Sequence, residues 1–582
     1  MSTIEERVKV RRSDRDSGLS SSEFHRPFCS EMIGVVANEA EHSTVVEFFE
    51  LFKTPWEFWR PGTRYDVLLC SSSTIPKNDA RLLLSYSSQQ QAFERGRGIK
   101  TQSVRGLDFV SFRGERMPIY GNCLLFDEHG TKVLLHNGTN SAAAISTACG
   151  AQAVIRLGFD LFEEVHLLLT KGQPAELAGI PTLDLHISLL RELIVSHGLT
   201  LVEIPPVPAD HRFIVSLTHD VDHPRVRQHM CDRTMFGFLY RALIGSVIDF
   251  CRGRRSLRQV VTNWKAAFSL PLVFAGIVKD FWNQVDRYLE LERDLASTFF
   301  VIPTKGNAGV DSHGRIRAKR ASRYALADIV DDLKKLLSAN REIAVHGIDA
   351  WRDSAKGRDE CQDVQKITGT AETGVRMHWL YFDSQAPVTL EKAGYSYDST
   401  IGYNETIGYR AGTTQVFKHA EVDHLLELPL HIMDTALFYP SYMNLPNDRA
   451  RAAMLPLIEN VTRFGGVLTI NWHDRSLGPE RLWGNVYVAL LGDLRARTPW
   501  FATALQAVSW FRKRRAASFV RITQDGGRLR VRTAIDPTGA DLPPLTLRVY
   551  NSASSSHKLA SKENALFEDF TIDGSDEVLV AA

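Results

Sequence analysis

The chain has 582 residues, of which 44% are hydrophobic and 24% charged, and its 69 basic and 68 acidic side chains leave a formal net charge of +1. That length exceeds a single hydrophobic core and implies about three or four folded units. The balanced charge, with no basic groove interleaved with aromatics, excludes the electrostatic footprint of a nucleic-acid binder. Seven cysteines, at positions 29, 70, 123, 149, 231, 251 and 361, form no Cys-x-x-Cys pair and read as free thiols in a reducing compartment.

The opening Met1 to Arg12 lacks the apolar core of a secretory signal, so a cytoplasmic location is expected. Residues 1–22 are polar and Ser-rich and read as a disordered tail. Residues 23–205 read as a first α/β domain of unknown role, with strand-like runs at Tyr65–Cys70 and Cys123–Phe126 and a helix over Thr182–Val195. Its histidines and Asp160 stand alone, without a constellation that would do chemistry. Pro205-Pro206-Val207-Pro208 marks a boundary.

From 211 to about 513 short apolar runs alternate with helical stretches, the pattern of a parallel sheet covered by helices. A helical insertion at about 225–293 could act as a lid. Within it Met235–Cys251 is interrupted by Arg241 and Asp249, and Ala266–Val278 by Pro271, so no transmembrane span is expected. Packing in a core is the expected use of these runs, with contact at a membrane surface across 235–278 as the alternative. Residues 515–582 read as a small C-terminal β module, with a hairpin around Asp525-Gly526-Gly527 and a polar tail.

The chemistry concentrates in Phe213-Ile-Val-Ser-Leu-Thr-His-Asp-Val-Asp-His-Pro224, an apolar strand that ends in hydrogen-bonding and metal-binding groups. Side chains alternate along a strand, so Asp220 and Asp222 point the same way. Two like charges that close need a cation between them, or one must hold a proton. A metal-assisted hydrolase follows. Later runs end similarly, in His346, in Arg376 and His378, in Glu427 and His431, and in His473 and Asp474, and parallel α/β folds build sites at strand carboxyl ends.

Residues 211 to about 480 resemble the catalytic domain of polysaccharide deacetylases of the carbohydrate esterase 4 type. The resemblance rests on Thr218-His-Asp-Val-Asp222, on Ser297-Thr-Phe-Phe-Val-Ile302 and on Gly466-Val-Leu-Thr-Ile-Asn-Trp-His-Asp474. It implies a distorted (β/α) barrel, Asp220 as general base, Asp222 as ligand of a divalent metal, His473 as general acid, and Arg376 as the arginine that positions the base. The family usually has two histidine ligands four residues apart, but here His346 is followed by Ala350. Catalytic zinc generally takes three protein ligands. The resemblance makes His378 the expected third, because Val375-Arg-Met-His-Trp-Leu380 sits where the family has an Arg-containing motif lining the same pocket, with His223, immediately after the carboxylates, as second choice. Glu427 resembles a Glu-x-Pro stretch of the family or lies on a surface loop, and Asp398 is placed at the rim. The resemblance implies removal of N-acetyl groups from an amino-sugar carbohydrate or cell-envelope precursor, with zinc as cofactor. Opening of a cyclic imide or ureide on the same barrel, and a carbohydrate-binding protein that has lost its metal, are the alternatives.

Overall fold

A computed structural model describes residues 32–127, 130–139, 141–525, 528–535, 541–550, 567–574 and 577–581. The expected tail at 1–22 and the turn residues Gly526 and Gly527 lie outside the described residues. The chain divides into two units, one of residues 1–172, 182–210 and 510–582, the other of residues 173–181 and 211–509.

The first unit is built on an eleven-stranded mixed sheet. Trp56–Phe58, Ile33–Val36, Val67–Cys70, Leu82–Tyr86 and Gln152–Leu157 run parallel in that spatial order. Val67–Cys70 and Leu82–Tyr86 are buried at every residue, as strands covered on both faces must be. The sheet turns antiparallel beyond Gln152–Leu157, through Ala142–Cys149 and Thr131–His136. The helix expected at 182 spans Thr182–Ser196 and buries Leu183, Ile187, Leu190 and Leu193, three or four residues apart. Asp160 has a structural use, capping the helix Leu161–Thr170 by accepting from the N–H groups of Phe162 and Glu163.

Residues beyond 510 group with this unit instead of forming a module of their own. Leu545–Tyr550 pairs with Leu201–Glu203 on one side and with Phe567–Ile572 on the other. Arg528–Ala534 lies between Ser518–Asp525 and Glu577–Ala581 in a second small sheet, so strands occupy part of the stretch expected to be a polar tail. Leu545, Leu547 and Val549 are fully buried. Their two-residue period fixes which side is apolar but not which sheet it joins.

The second unit carries a ten-stranded sheet. Its central strand, Ile214–Val221, runs parallel to Ser297–Val301 on one side and to Val467–Asn471 on the other. Outward from Ser297–Val301 follow Glu342–Gly347, Gly374–Met377, Tyr397–Asp398 and Leu426–Glu427, all parallel. At the other end Ile432–Met433 pairs with Val467–Asn471. The two end strands, Phe417–Lys418, antiparallel to Leu426–Glu427, and Ile432–Met433, thus come from one short stretch of chain. Along it the Leu428 and Leu430 N–H groups donate to the carbonyls of Asp398 and Ile401, and the His431 N–H donates to Thr469. The stretch changes partner from one side of the sheet to the other, and the sheet is curled into a distorted half-barrel. Helices Ser354–Thr368, Ala386–Ala393, Asn447–Phe464 and Gly484–Arg495 contribute apolar faces to its core.

The insertion between Ile214–Val221 and Ser297–Val301 is helical. Arg233–Cys251 forms one run with a π turn at Tyr240–Gly245, and Leu257–Phe274 contains Pro271 without breaking. Core packing of these runs, the expected use, holds for one face only. Phe238, Ala242, Leu270 and Val273 pack around Trp282, whereas Phe236 is 57% and Phe268 71% exposed.

Candidate active site

Ile214–Val221 is buried throughout and releases its last side chains at the carboxyl end of the sheet. The Asp220 carboxylate accepts from Arg376 Nη1 at 2.9 Å and from Asn471 Nδ2 at 2.8 Å, while its backbone N–H donates to Asn471 Oδ1. Arg376 is fully buried, and its remaining donors go to Thr218 Oγ1, the Ser399 carbonyl and Ser399 Oγ. A guanidinium spent in every direction cannot swing away, so it holds Asp220 in place. Burial pushes the Asp220 carboxyl up, but His346, Arg376 and His473 outweigh it and keep the group below its ordinary range.

Asp222 faces two imidazoles. Its Oδ1 lies 3.3 Å from His346 Nε2 and 3.3 Å from His378 Nδ1, and those two nitrogens are 3.0 Å apart. Asp222 Oδ1 is buried and has no hydrogen bond of proper geometry. His346 Nδ1 donates to the Arg376 carbonyl at 3.0 Å, which leaves Nε2 as a bare lone pair toward Asp222. Tetrahedral ligands at about 2.0–2.1 Å from an ion stand roughly 3.3 Å apart. The spacing, the orphaned oxygen and the fixed tautomer fit a divalent cation held by one carboxylate and two imidazoles. Burial lowers His378 to about 4, keeping it the neutral imidazole that a metal requires. Its carbonyl is pinned by two donors of the buried Arg320, just before Trp379 turns into the left-handed region at φ 65°.

His473 completes the cluster from the loop after Val467–Asn471. Its Nδ1 lies 2.6 Å from Asp434 Oδ1 and its backbone N–H donates to Asp434 Oδ2. Nε2 is thereby turned inward, 3.8 Å from Asp222 Oδ2. Burial opposes the charged ring, but Asp434, Asp222 and Asp220 raise its pKa to about 10. An imidazolium ready to donate results.

Asp220, Asp222, His346, Arg376, His378 and His473 therefore meet in one place. His223, the alternative third ligand, does not join Asp222, His346 and His378, because its Nδ1 lies 3.1 Å from His229 Nε2 and its ring contacts Trp282. Glu427 is not on a surface loop, and Asp398 is not at the rim. They are buried on adjacent strands in register. Burial and the neighbouring Asp398 push Glu427 well up, so the pair retains a proton. His431 is engaged by the backbone of Thr413 and Thr469.

Sequence reasoning missed Asp434 and gave Asn471 no role. Asn471 stands inside the quoted Thr-Ile-Asn-Trp-His-Asp run, two residues before His473, on the same side of the strand as the ligands' pocket. Arg475 and Arg481 were also passed over. Both are buried beside this loop, and Arg475 Nε and Nη1 lack hydrogen-bond partners.

No family model matches the chain, and no curated protein does. Among solved structures it is similar to a putative polysaccharide deacetylase from Mycobacterium smegmatis, at 16% identity and a TM-score of 0.32 over 53% of this chain and 94% of that one. It is similar to the Puue allantoinase at 14% identity and a TM-score of 0.33, over 52% and 92% of the two chains. Agd3, described as a novel carbohydrate deacetylase, matches at 9% identity and a TM-score of 0.38, over 95% of this chain and 99% of that one.

Proposed function

We propose that the second unit is a metal-dependent amide hydrolase that removes N-acetyl groups from an amino-sugar-containing carbohydrate or cell-envelope precursor. The supporting observation is the set of three donor atoms 3.0–3.3 Å apart, with a guanidinium-held carboxylate on one side and a carboxylate-backed imidazole on the other. A zinc-like ion on Asp222, His346 and His378 would polarise the amide carbonyl and acidify a nearby water. Asp220, kept ionised, accepts the proton of the attacking water as the carbon–oxygen bond forms. His473 delivers its Nε2 proton to the departing nitrogen as the carbon–nitrogen bond breaks, giving acetate and a free amine. Arg376 touches neither reactant in this scheme and acts by positioning Asp220.

Asp222→Ala should lose both bound divalent metal and acetate release, whereas Asp220→Asn should keep the metal and lose turnover by roughly 100-fold or more. Metal content and released acetate are the two readouts, with acetylated sugars compared against cyclic imides and ureides. Metal retained by Asp222→Ala refutes the ligand assignment. Ring opening without acetate release would move the chemistry to the cyclic amides.

A further inference from the structure

The helical insertion has two properties that the barrel chemistry does not use. The first is an apolar stripe on each of its long helices, turned to solvent. On Leu257–Phe274 the stripe is Leu257, Val261, Trp264, Phe268 and Leu272, spaced by three or four residues and 41–71% exposed. On Arg233–Cys251 it is Phe236, Tyr240, Ile244 and Ile248, four residues apart and 37–57% exposed. The opposite faces are already satisfied, since Phe238, Ala242, Ala266, Leu270 and Val273 pack with Trp282. A helix that is apolar on its buried side and again on its exposed side has a second partner.

The second property is charge. Residues 233–279 hold eight basic side chains and a single acid, Asp249; Arg241, Arg255 and Lys279 pair with Glu480, Asp249 and Asp286, and the other five basic groups are in no ion pair among the described residues. Arg252, Arg254, Arg258 and Lys265 are exposed, at the turn between the helices and along the second of them. A second copy of this chain docking face to face would bring two such surfaces together and be repelled.

We infer that this hairpin is an interfacial docking surface for an anionic phospholipid bilayer, lying in the membrane plane with Phe236, Tyr240, Trp264 and Phe268 at the level of the headgroups. Exposed basic side chains then reach lipid phosphates, and attraction to the anionic leaflet adds to the burial of the stripes. Arg233–Cys251 is long and apolar enough by composition to cross a bilayer, but it carries Arg241 and Asp249 and packs its other face on the protein. It therefore lies on the membrane without crossing it.

The test is cosedimentation of the full chain with vesicles of phosphatidylglycerol mixed with phosphatidylcholine, and with vesicles of phosphatidylcholine alone. The chain should sediment with the anionic vesicles, more weakly as salt rises and far less with the neutral ones. Trp264→Glu with Phe268→Glu should weaken binding at least about 10-fold, as should Arg252→Glu, Arg254→Glu and Arg258→Glu together, with far-UV circular dichroism unchanged because Phe268 and the arginines face solvent and Trp264 gives up a single hydrogen bond, to the Leu243 carbonyl. Undiminished sedimentation of both variants would overturn the inference. So would a wild-type chain that stays in the supernatant, or a dimer in sedimentation velocity that the Trp264/Phe268 variant dissociates. None of these readouts depends on hydrolysis, so the membrane surface and the proposed deacetylation fail separately.

Discussion

In the first unit the buried Arg156 guanidinium meets Glu94 at 2.5 Å and donates to the carbonyls of Ser87 and Gln89, and Arg191 likewise meets Glu203 with two bonds of 2.8 Å. In the second unit Asp222 Oδ1 is equally hidden but has no proper hydrogen bond, and two imidazole nitrogens stand 3.3 Å from it. Burying a charge is costly in both places. The first unit offsets that cost within the protein at Arg156 and Arg191, by closing these charges on carboxylate partners. The second leaves an electrostatic gap that a cation would fill. Burial of charged groups alone therefore does not mark a site, whereas a charge left incomplete among fixed neighbours does.

The contrast would be sharpened most at Asp434. If its work is to orient His473, then Asp434→Asn should lower kcat by about 100- to 10,000-fold while metal content and KM hold. Unchanged kcat would place Asp434 among the closed, structural charges. A smaller effect, on stability instead of chemistry, is expected in the first unit. Glu94→Gln strands the Arg156 charge and should cost about 3–5 kcal/mol in denaturant unfolding, with acetate release per folded molecule unaltered. Loss of turnover without loss of stability would erase the distinction drawn here.

The smallest effect is a pH dependence. Burial, partly offset by the backbone N–H groups of Tyr120 and Gly121, pushes Glu164 from 4.5 up to about 7. A carboxyl raised in the folded state stabilises fully below its unfolded value near 4.5, and that contribution fades as pH rises through about 7. Glu164→Gln keeps the neutral form at every pH. Relative to the variant, the parent should therefore lose about 3 kcal/mol between pH 4.5 and pH 8. Parallel stability curves for the two proteins would show Glu164 to be unperturbed.

Much of the cluster was legible in the chain because its members close strong strand signals. Asp220 lies near the end of Ile214–Val221, His346 in Glu342–Gly347 and Arg376 in Gly374–Met377, which His378 directly follows, each strand buried almost throughout. Asp434 lacked any such flag. The strand before it, Ile432–Met433, has two residues and no period to read, and its partner His473 lies 39 positions away, reached only through pairing with Val467–Asn471. The exposed stripes were misread for a different reason. Periodicity reports which residues share a helix face, but it does not report whether that face meets protein or solvent. Leu257–Phe274 is apolar on two faces, and only packing showed which of them remained open. The C-terminal strands were recognisable as strands, yet their pairing with Leu201–Glu203 spans more than three hundred residues of chain.

The stretch Leu426–Met433 has a further consequence. It bonds first to the Asp398 and Ile401 carbonyls and then to Thr469, and the residue that follows it is Asp434. Pairing of Ile432–Met433 with Val467–Asn471 is what brings the Asp434 carboxylate to His473 Nδ1 and fixes the direction of the ring. A molecule lacking that pairing would still hold Asp220 and His346 on their own strands, yet its His473 ring would be free to rotate. Docking of this end strand and orientation of the His473 ring are thus a single event.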